Sequence, residues 1–185
     1  MYLALSNICS LILVALITAG GPARNAAARP TVRTVTSSPY ELRFYDIHTG
    51  KRLDVVYRNA NGYRPRALAR LNSYLRDRRT GQIHAYDPQV FDLLHDLLVK
   101  LGKPHDVIDV ICGYRTPWTN AMLHRTGHHV ALHSLHMKAE AIDIRIPGVP
   151  IAQVRNAALA LRLGGVGYYP EDDFVHVDVG RVRRW

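Results

Sequence analysis

A chain of 185 residues, 48% hydrophobic and 21% charged, is long enough to bury one sizeable core and too short for two ordinary domains. Its two cysteines cannot form a disulfide scaffold. The formal charge of +9 attracts polyanions, but the basic residues are dispersed in Arg64-Pro-Arg66, Arg76-Asp-Arg-Arg79 and Arg181-Val-Arg-Arg184, with no long Lys/Arg run and no aromatic-interleaved strand, which argues against nucleic acid as a partner.

The first twenty residues are apolar and uncharged, and the small-residue stretch after them allows cleavage after Ala23 or Ala28. Residues 1–28 are therefore expected to be a signal peptide for export to the periplasm or cell envelope. The alternative is an N-terminal anchor, which would then be the only membrane contact. No twin-arginine pair precedes the apolar run, and Cys9 does not sit in a lipid-attachment setting. Residues 29–39, rich in Ala, Arg, Thr, Ser and Pro, read as a linker, and 40–185 as one folded domain.

Within that domain Leu42–Ile47 and Leu53–Tyr57 alternate around His48-Thr-Gly50, the pattern of a β-hairpin. Arg66–Arg76 has helical apolar spacing. Asp87-Pro88 is an N-cap and N1 pair opening a helix whose Val90, Leu93, Leu94, Leu97, Leu98 and Leu101 form a core stripe, with His95 expected in solvent on the other side. Val107–Cys112 is an apolar strand that ends in a thiol expected to be buried and inert. Thr116-Pro117 opens a helix running to His124, and Ile151–Leu161 is a last helix that ends at Gly164-Gly165.

Two further segments, Ala141–Ile146 and Phe174–Asp178, are β-branched and alternating. Asp143 shares a strand face with Ala141 and Arg145, and His176 shares one with Phe174 and Asp178. Should the strands be neighbours, a carboxylate and an imidazole converge, and His136 lies in a loop feeding the first strand. Two imidazoles and a carboxylate are the ligand set of a catalytic zinc, because three protein ligands leave the fourth tetrahedral position open for water.

Ser134-x-His136-x6-Asp143 with a later His176 resembles the zinc-peptidase fold shared by lysostaphin-type enzymes, D-Ala-D-Ala carboxypeptidases and hedgehog domains. More narrowly, Cys112-Gly-Tyr-Arg-Thr-Pro, Ser134-Leu-His-Met-Lys, Gly164-Gly-Val-Gly-Tyr-Tyr-Pro170 and Phe174-Val-His-Val-Asp-Val-Gly180 resemble the YcbK-like murein peptidases over nearly the whole mature chain. The resemblance implies a compact α+β domain with a small, mainly antiparallel sheet flanked by helices. It also implies one zinc on His136, Asp143 and His176, and peptidoglycan peptides as substrate. The reaction implied is hydrolysis of cross-linking or stem peptides by a metal-activated water. A catalytically silent wall-binding module of the same fold is the alternative.

Two carboxylates are candidates for the general base: Asp173, three residues before His176 as in the acid-x-x-His arrangement of related peptidases, and Asp178, two residues after it. Asp178 is also placed to orient a ligand imidazole. Arg115, in the Tyr-Arg-Ser/Thr unit of the family, is expected to hold a substrate carboxylate or the developing oxyanion, and Ser134 to position loop or substrate. The chain departs from the family pattern at Ala139, where glycine is usual; alanine there carries a steric cost if φ is positive. His133 is a second departure, since a small polar amide residue is common before the Ser-x-His unit.

Overall fold

The computed structural model describes residues 40–127 and 130–185. The leader and linker expected at 1–39 lie outside the described residues. The elements in chain order are β1 (Tyr40–Asp46), β2 (Arg52–Asn59), β3 (Gly62–Tyr63), α1 (Pro65–Tyr74), α2 (Gln89–Lys100), β4 (Val107–Cys112) and α3 (Pro117–Arg125). Next come a 3-10 turn (Leu135–Lys138), β5 (Ala141–Arg145), α4 (Ile151–Leu161), β6 (Gly165–Tyr169), β7 (Phe174–Asp178) and β8 (Arg183–Arg184).

All strands join one sheet in the order β3-β2-β1-β4-β5-β7-β6-β8. Most pairs are antiparallel, as the resemblance implied, but β1/β4 and β6/β8 are parallel, so the sheet is mixed and larger than expected. β6 escapes a reading by propensity because Gly165 and Gly167 weaken the strand pattern, and β8 is only two residues long.

One face of the sheet is the core. Leu42 and Phe44, Ile108 and Val110, Ile142 and Ile144, Val175 and Val177 recur at period two and belong to one buried apolar cluster. α2 and α4 pack against each other, α2 also against β1 and α4 against β6 and β7. The stripe of α2 is buried as its spacing required, with Phe91 added and Leu101 only partly covered. Truncating Leu94 or Leu97, each fully buried, to alanine would cost about 2–5 kcal/mol.

Helix starts follow their caps. Thr116 Oγ1 accepts from Thr119 N at 3.1 Å, with Pro117 at the first helical position. α2 begins at Gln89, and Asp87 Oδ1 accepts from Gln89 N at 2.9 Å in the turn that leads into it. His95 is a correction: its ring lies 4.4 Å from that of Tyr40, and its side chain is mostly covered rather than solvated.

Candidate metal centre

The opposite face of the sheet carries the site. β5 and β7 are antiparallel neighbours with Asp143 directly across from His176, so period two sends both side chains to the face away from Ile142, Ile144, Val175 and Val177. His136 reaches them from the 3-10 turn, whose first residue is capped by Ser134 Oγ accepting from His136 N at 3.3 Å. The turn ends at Ala139 with φ 54 and ψ 39. The left-handed conformation that glycine would adopt freely is thus taken by alanine, at a cost on the order of 1 kcal/mol.

Three atoms meet. His136 Nε2 lies 3.1 Å from Asp143 Oδ1 and 3.1 Å from His176 Nδ1, and His176 Nδ1 lies 2.8 Å from Asp143 Oδ1. A tetrahedral zinc with bonds of about 2.0–2.1 Å would hold its ligands roughly 3.3 Å apart, close to these separations.

The outer nitrogens fix the tautomers. His136 Nδ1 lies 2.7 Å from the Gly113 carbonyl oxygen, which can only accept, so Nδ1 carries the proton and Nε2 presents a lone pair. Burial lowers the basicity of His136 and keeps it neutral against the pull of Asp143. His176 Nε2 faces Asp178 Oδ2 at 3.1 Å and donates to it. In the absence of a cation, burial opposes charge on His176, but its bonds to Asp143 and Asp178 outweigh that and raise its pKa. A proton on Nδ1 then bridges to Asp143. Remove that proton and three acceptors face one another, an arrangement a divalent cation satisfies. The donor set fits zinc.

Asp178 is fixed from all sides. Oδ1 accepts from Gly165 N at 2.9 Å, Gly180 N at 2.9 Å and Arg183 Nη1 at 3.0 Å, while Oδ2 accepts from Arg183 Nη2 at 2.7 Å. Its side chain has 0% exposure. Burial pushes the carboxyl up, but His176, Arg183 and the two backbone donors overcome this and hold it well below the usual carboxylate range. Gly165 is required here, since a Cβ on it would lie 2.5 Å from Asp178 Oδ2. Asp143 behaves alike: burial raises it, and the flanking imidazoles bring it far down.

Asp173 lies apart from this cluster. It occupies the turn before β7 at φ 53, its side chain is 61% exposed, and Oδ2 accepts from Arg145 Nη1 at 3.2 Å. Arg145 in turn donates from Nε to Asp109 Oδ2 at 3.0 Å.

Cys112 is re-aimed by a bulge. β4 and β5 pair Val110 with Ile144 and then Cys112 with Asp143, leaving Ile111 as the extra residue. Without it, Ile111 would oppose Asp143 and Cys112 would point to the core. The thiol instead comes within 4.8 Å of the ligand atoms of His136 and Asp143. Burial pushes it up to about 12, so it stays protonated, and Sγ donates weakly to the Gly113 carbonyl at 3.6 Å. His176, closer and already presenting nitrogen, is the better third ligand.

The bulge also delivers the loop Gly113–Thr116. Arg115 is buried beside the ligands; its backbone N donates to the His136 carbonyl at 3.1 Å and Nη2 to Ser134 Oγ at 3.0 Å. Its Nε is buried with no hydrogen-bond partner among the described residues. A buried guanidinium with a free donor is a costly group unless a ligand satisfies it. Asp77 braces this loop: Oδ2 accepts from Thr116 N at 2.7 Å and Thr116 Oγ1 at 2.8 Å. Arg115, Ser134, Asp143 and His176 all line an open cleft of about 520 Å³, walled by Val130, Leu135, Tyr169, Phe174 and Trp185.

Residue spacing alone reaches His136, Asp143, His176 and Asp178, but not Arg183, whose guanidinium clamps Asp178, nor Asp77 and Trp185. For Arg183 the only signal was a basic residue in the segment after Phe174–Asp178.

The family model described as peptidoglycan L,D-endopeptidase MepK (Peptidase_M15_2) matches residues 34–185, and the chain belongs to this family. It is 46% identical over 150 residues to the probable peptidoglycan L,D-endopeptidase MepK of Haemophilus influenzae, covering 81% of each chain. With the peptidoglycan L,D-endopeptidase MepK of Escherichia coli K12 it shares 40% identity over 175 residues, covering 92% of this chain and 94% of that one.

Proposed function

We propose that the protein is a zinc-dependent peptidoglycan endopeptidase of the cell envelope that hydrolyses L,D bonds in cross-linking or stem peptides. The observation that carries the metal is the convergence of His136 Nε2, Asp143 Oδ1 and His176 Nδ1, with the outer nitrogen of each imidazole engaged from outside the cluster. The bond assignment rests on the names of the relatives. Zinc held by these atoms supplies a Lewis acid for the scissile carbonyl and lowers the pKa of a water toward about 7.

The chain's own residues do the rest. His136 keeps its proton on Nδ1, against Gly113, and His176 keeps its proton on Nε2, against Asp178, so both lone pairs stay aimed inward. Asp178 is a positioning residue, since each of its oxygens is already occupied by donors. Asp173, held by Arg145 in the open, is assigned an electrostatic part in the turn and not the base. Arg115 lines the cleft with Nη2 held by Ser134, and its guanidinium is the charge placed for the substrate oxygen on which charge develops or for a neighbouring substrate carboxylate. The basic surface retains the enzyme on an anionic wall.

Digestion of purified murein followed by mass analysis tests this reading. Fragments cut at L,D bonds are expected, abolished by chelator and restored by zinc; murein left intact by the zinc-loaded protein would overturn the peptidase reading, and D,D fragments would overturn the bond. Export is inferred from the apolar leader, which lies outside the described residues. Among the described residues no helix is long and apolar enough to cross a membrane. Fractionation with N-terminal sequencing should find the envelope protein trimmed near Ala23 or Ala28, and an intact Met1 on a cytosolic protein would refute it.

A further inference from the structure

Beside the ligand cluster stands an aromatic wall that the proposed chemistry does not use. β6 pairs with β7 so that Gly167 is opposite His176, and its missing side chain belongs to the face that carries the site. Trp185 fills that space. A Cβ on Gly167 would come 2.7 Å from indole Cε2 and 2.8 Å from Nε1, so glycine is what admits the ring. The indole centroid is 5.2 Å from that of His176.

Trp185 is held rigidly for a side chain that is half exposed. Its backbone N donates to the Val166 carbonyl at 3.3 Å, and its carbonyl accepts from Tyr168 N at 3.1 Å. Nε1 donates to Tyr169 Oη at 2.8 Å, and Tyr169 stacks on Phe174 with centroids 4.5 Å apart and planes at 15°. All three rings line the cleft that contains Asp143 and His176, with Val130 and Leu135 also in its lining. The residue remains 50% exposed. An indole fixed in place and left open gives up burial that folding would otherwise use, which is the signature of a binding surface.

We propose that Trp185, seated on Gly167 and braced by Tyr169, is a specificity-determining platform for the uncharged aliphatic stem of the peptide residue at the scissile bond. The proposal rests on the peptidase reading and names the part of the substrate that the wall contacts. Two observations choose this ligand. The Arg183 guanidinium carbon already lies 4.8 Å from the indole centroid, so a second cation there would meet like charge. The indole lies within about one to two residues' reach of the ligand atoms, given about 3.8 Å between successive Cα atoms, so what rests on it is the residue being cut rather than a remote group.

The test uses the full zinc-loaded protein carrying Trp118→Phe, which leaves Trp185 as the single indole of a chain with two tryptophans. Trp118 is an exposed residue of α3 outside the site. Titration with a sugar-free cross-linked stem peptide whose scissile amide is N-methylated should give a saturable change in Trp185 emission. By calorimetry on the wild-type background, Trp185→Ala should weaken binding of the same peptide about tenfold or more, as covering a ring face predicts. On the cleavable peptide Trp185→Ala should raise KM by a similar factor with kcat little changed and zinc still stoichiometric. Trp185→Phe should recover most of the loss, and Gly167→Ala should reproduce it. Unchanged binding and KM in Trp185→Ala would overturn the platform. So would a joint loss of zinc and kcat that Phe does not rescue, which would make Trp185 a brace for His176, or an effect seen only with sugar-bearing substrate. If the wild type binds the peptide through Trp185 yet cleaves nothing, the platform stands and the peptidase reading falls.

Discussion

Two clusters of charged side chains share the site face of the sheet, and their bond lengths hardly differ. In the inner one His136, Asp143, His176, Asp178 and Arg183 meet at 2.7–3.1 Å; in the outer one Arg145 holds Asp109 and Asp173 at 3.0 Å and 3.2 Å. What separates them is burial and completeness. Asp178 has 0% side-chain exposure and donors on both oxygens, whereas Asp173 is 61% exposed with Arg145 as its ion-pair partner. Distance alone does not mark a site; a carboxylate held in the interior by an arranged set of donors does.

The strongest way to break this contrast is to remove the ligands. His136→Ala, Asp143→Ala and His176→Ala are each expected to abolish stoichiometric zinc and wall hydrolysis, read by metal analysis and murein digestion. One zinc per chain in all three variants would dissolve the inner cluster as a metal centre. Next is Asp178→Asn, which deprives Arg183 and His176 of their shared anion. Chelator competition should show zinc affinity reduced about 10–100-fold, with a lower unfolding temperature; wild-type affinity would reduce Asp178 to an ordinary surface-type pair.

A buried carboxylate outside the inner cluster sharpens the same point through pH. Burial pushes Asp77 up, but the Thr116–Thr119 turn and the Thr80 amide overcome this and hold it at about 2. Its folded pKa is depressed, so its contribution is present above pH 4 and lost as pH falls toward 2. Asp77→Ala should therefore cost about 2 kcal/mol in urea unfolding at pH 7, with the gap to wild type closing between pH 4 and pH 2. A gap independent of pH would show that the charge is not what braces the loop. Ala139→Gly should relieve the left-handed strain while losing a buried methyl and gaining unfolded-state freedom, for a net stabilisation within about 1 kcal/mol. A fall of several degrees in unfolding temperature would mean that the methyl contact outweighs the strain.

The smallest effect belongs to the outer cluster. Asp173→Asn should change stability by less than about 0.5 kcal/mol and leave turnover near normal. If it instead kept zinc and lost on the order of 10² to 10⁴ in turnover, Asp173 would be the general base and the contrast between clusters would fail.

The convergence of Asp143 and His176 was legible because strand alternation is a strict rule: each sits mid-strand, and placing both on one face needs only that β5 and β7 be neighbours. Their pairing is a product of tertiary structure and could be stated only as a condition. Ala139 was legible in a different sense, since a residue standing where glycine is usual flags a backbone position, and φ 54 is there. Cys112 is the inert thiol expected of it, but its place beside the ligands was not legible: one extra residue at Ile111 reverses the facing of the side chain after it, and a single-residue bulge leaves no composition signal. Arg183 and Trp185 were missed because β8 has no periodicity to read, and their roles depend on Gly165 and Gly167 having no side chain. His95 was placed in solvent because helical periodicity knows nothing of Tyr40 on a neighbouring strand.

The donors around Asp178 come from residues 165, 180 and 183, on three successive stretches of chain. The aim of His176 is therefore tied to the far edge of the sheet: rotation of its ring is opposed by Asp178, and Asp178 is itself anchored from β6 and β8. Loosening that edge would free the imidazole without touching any of the three converging atoms.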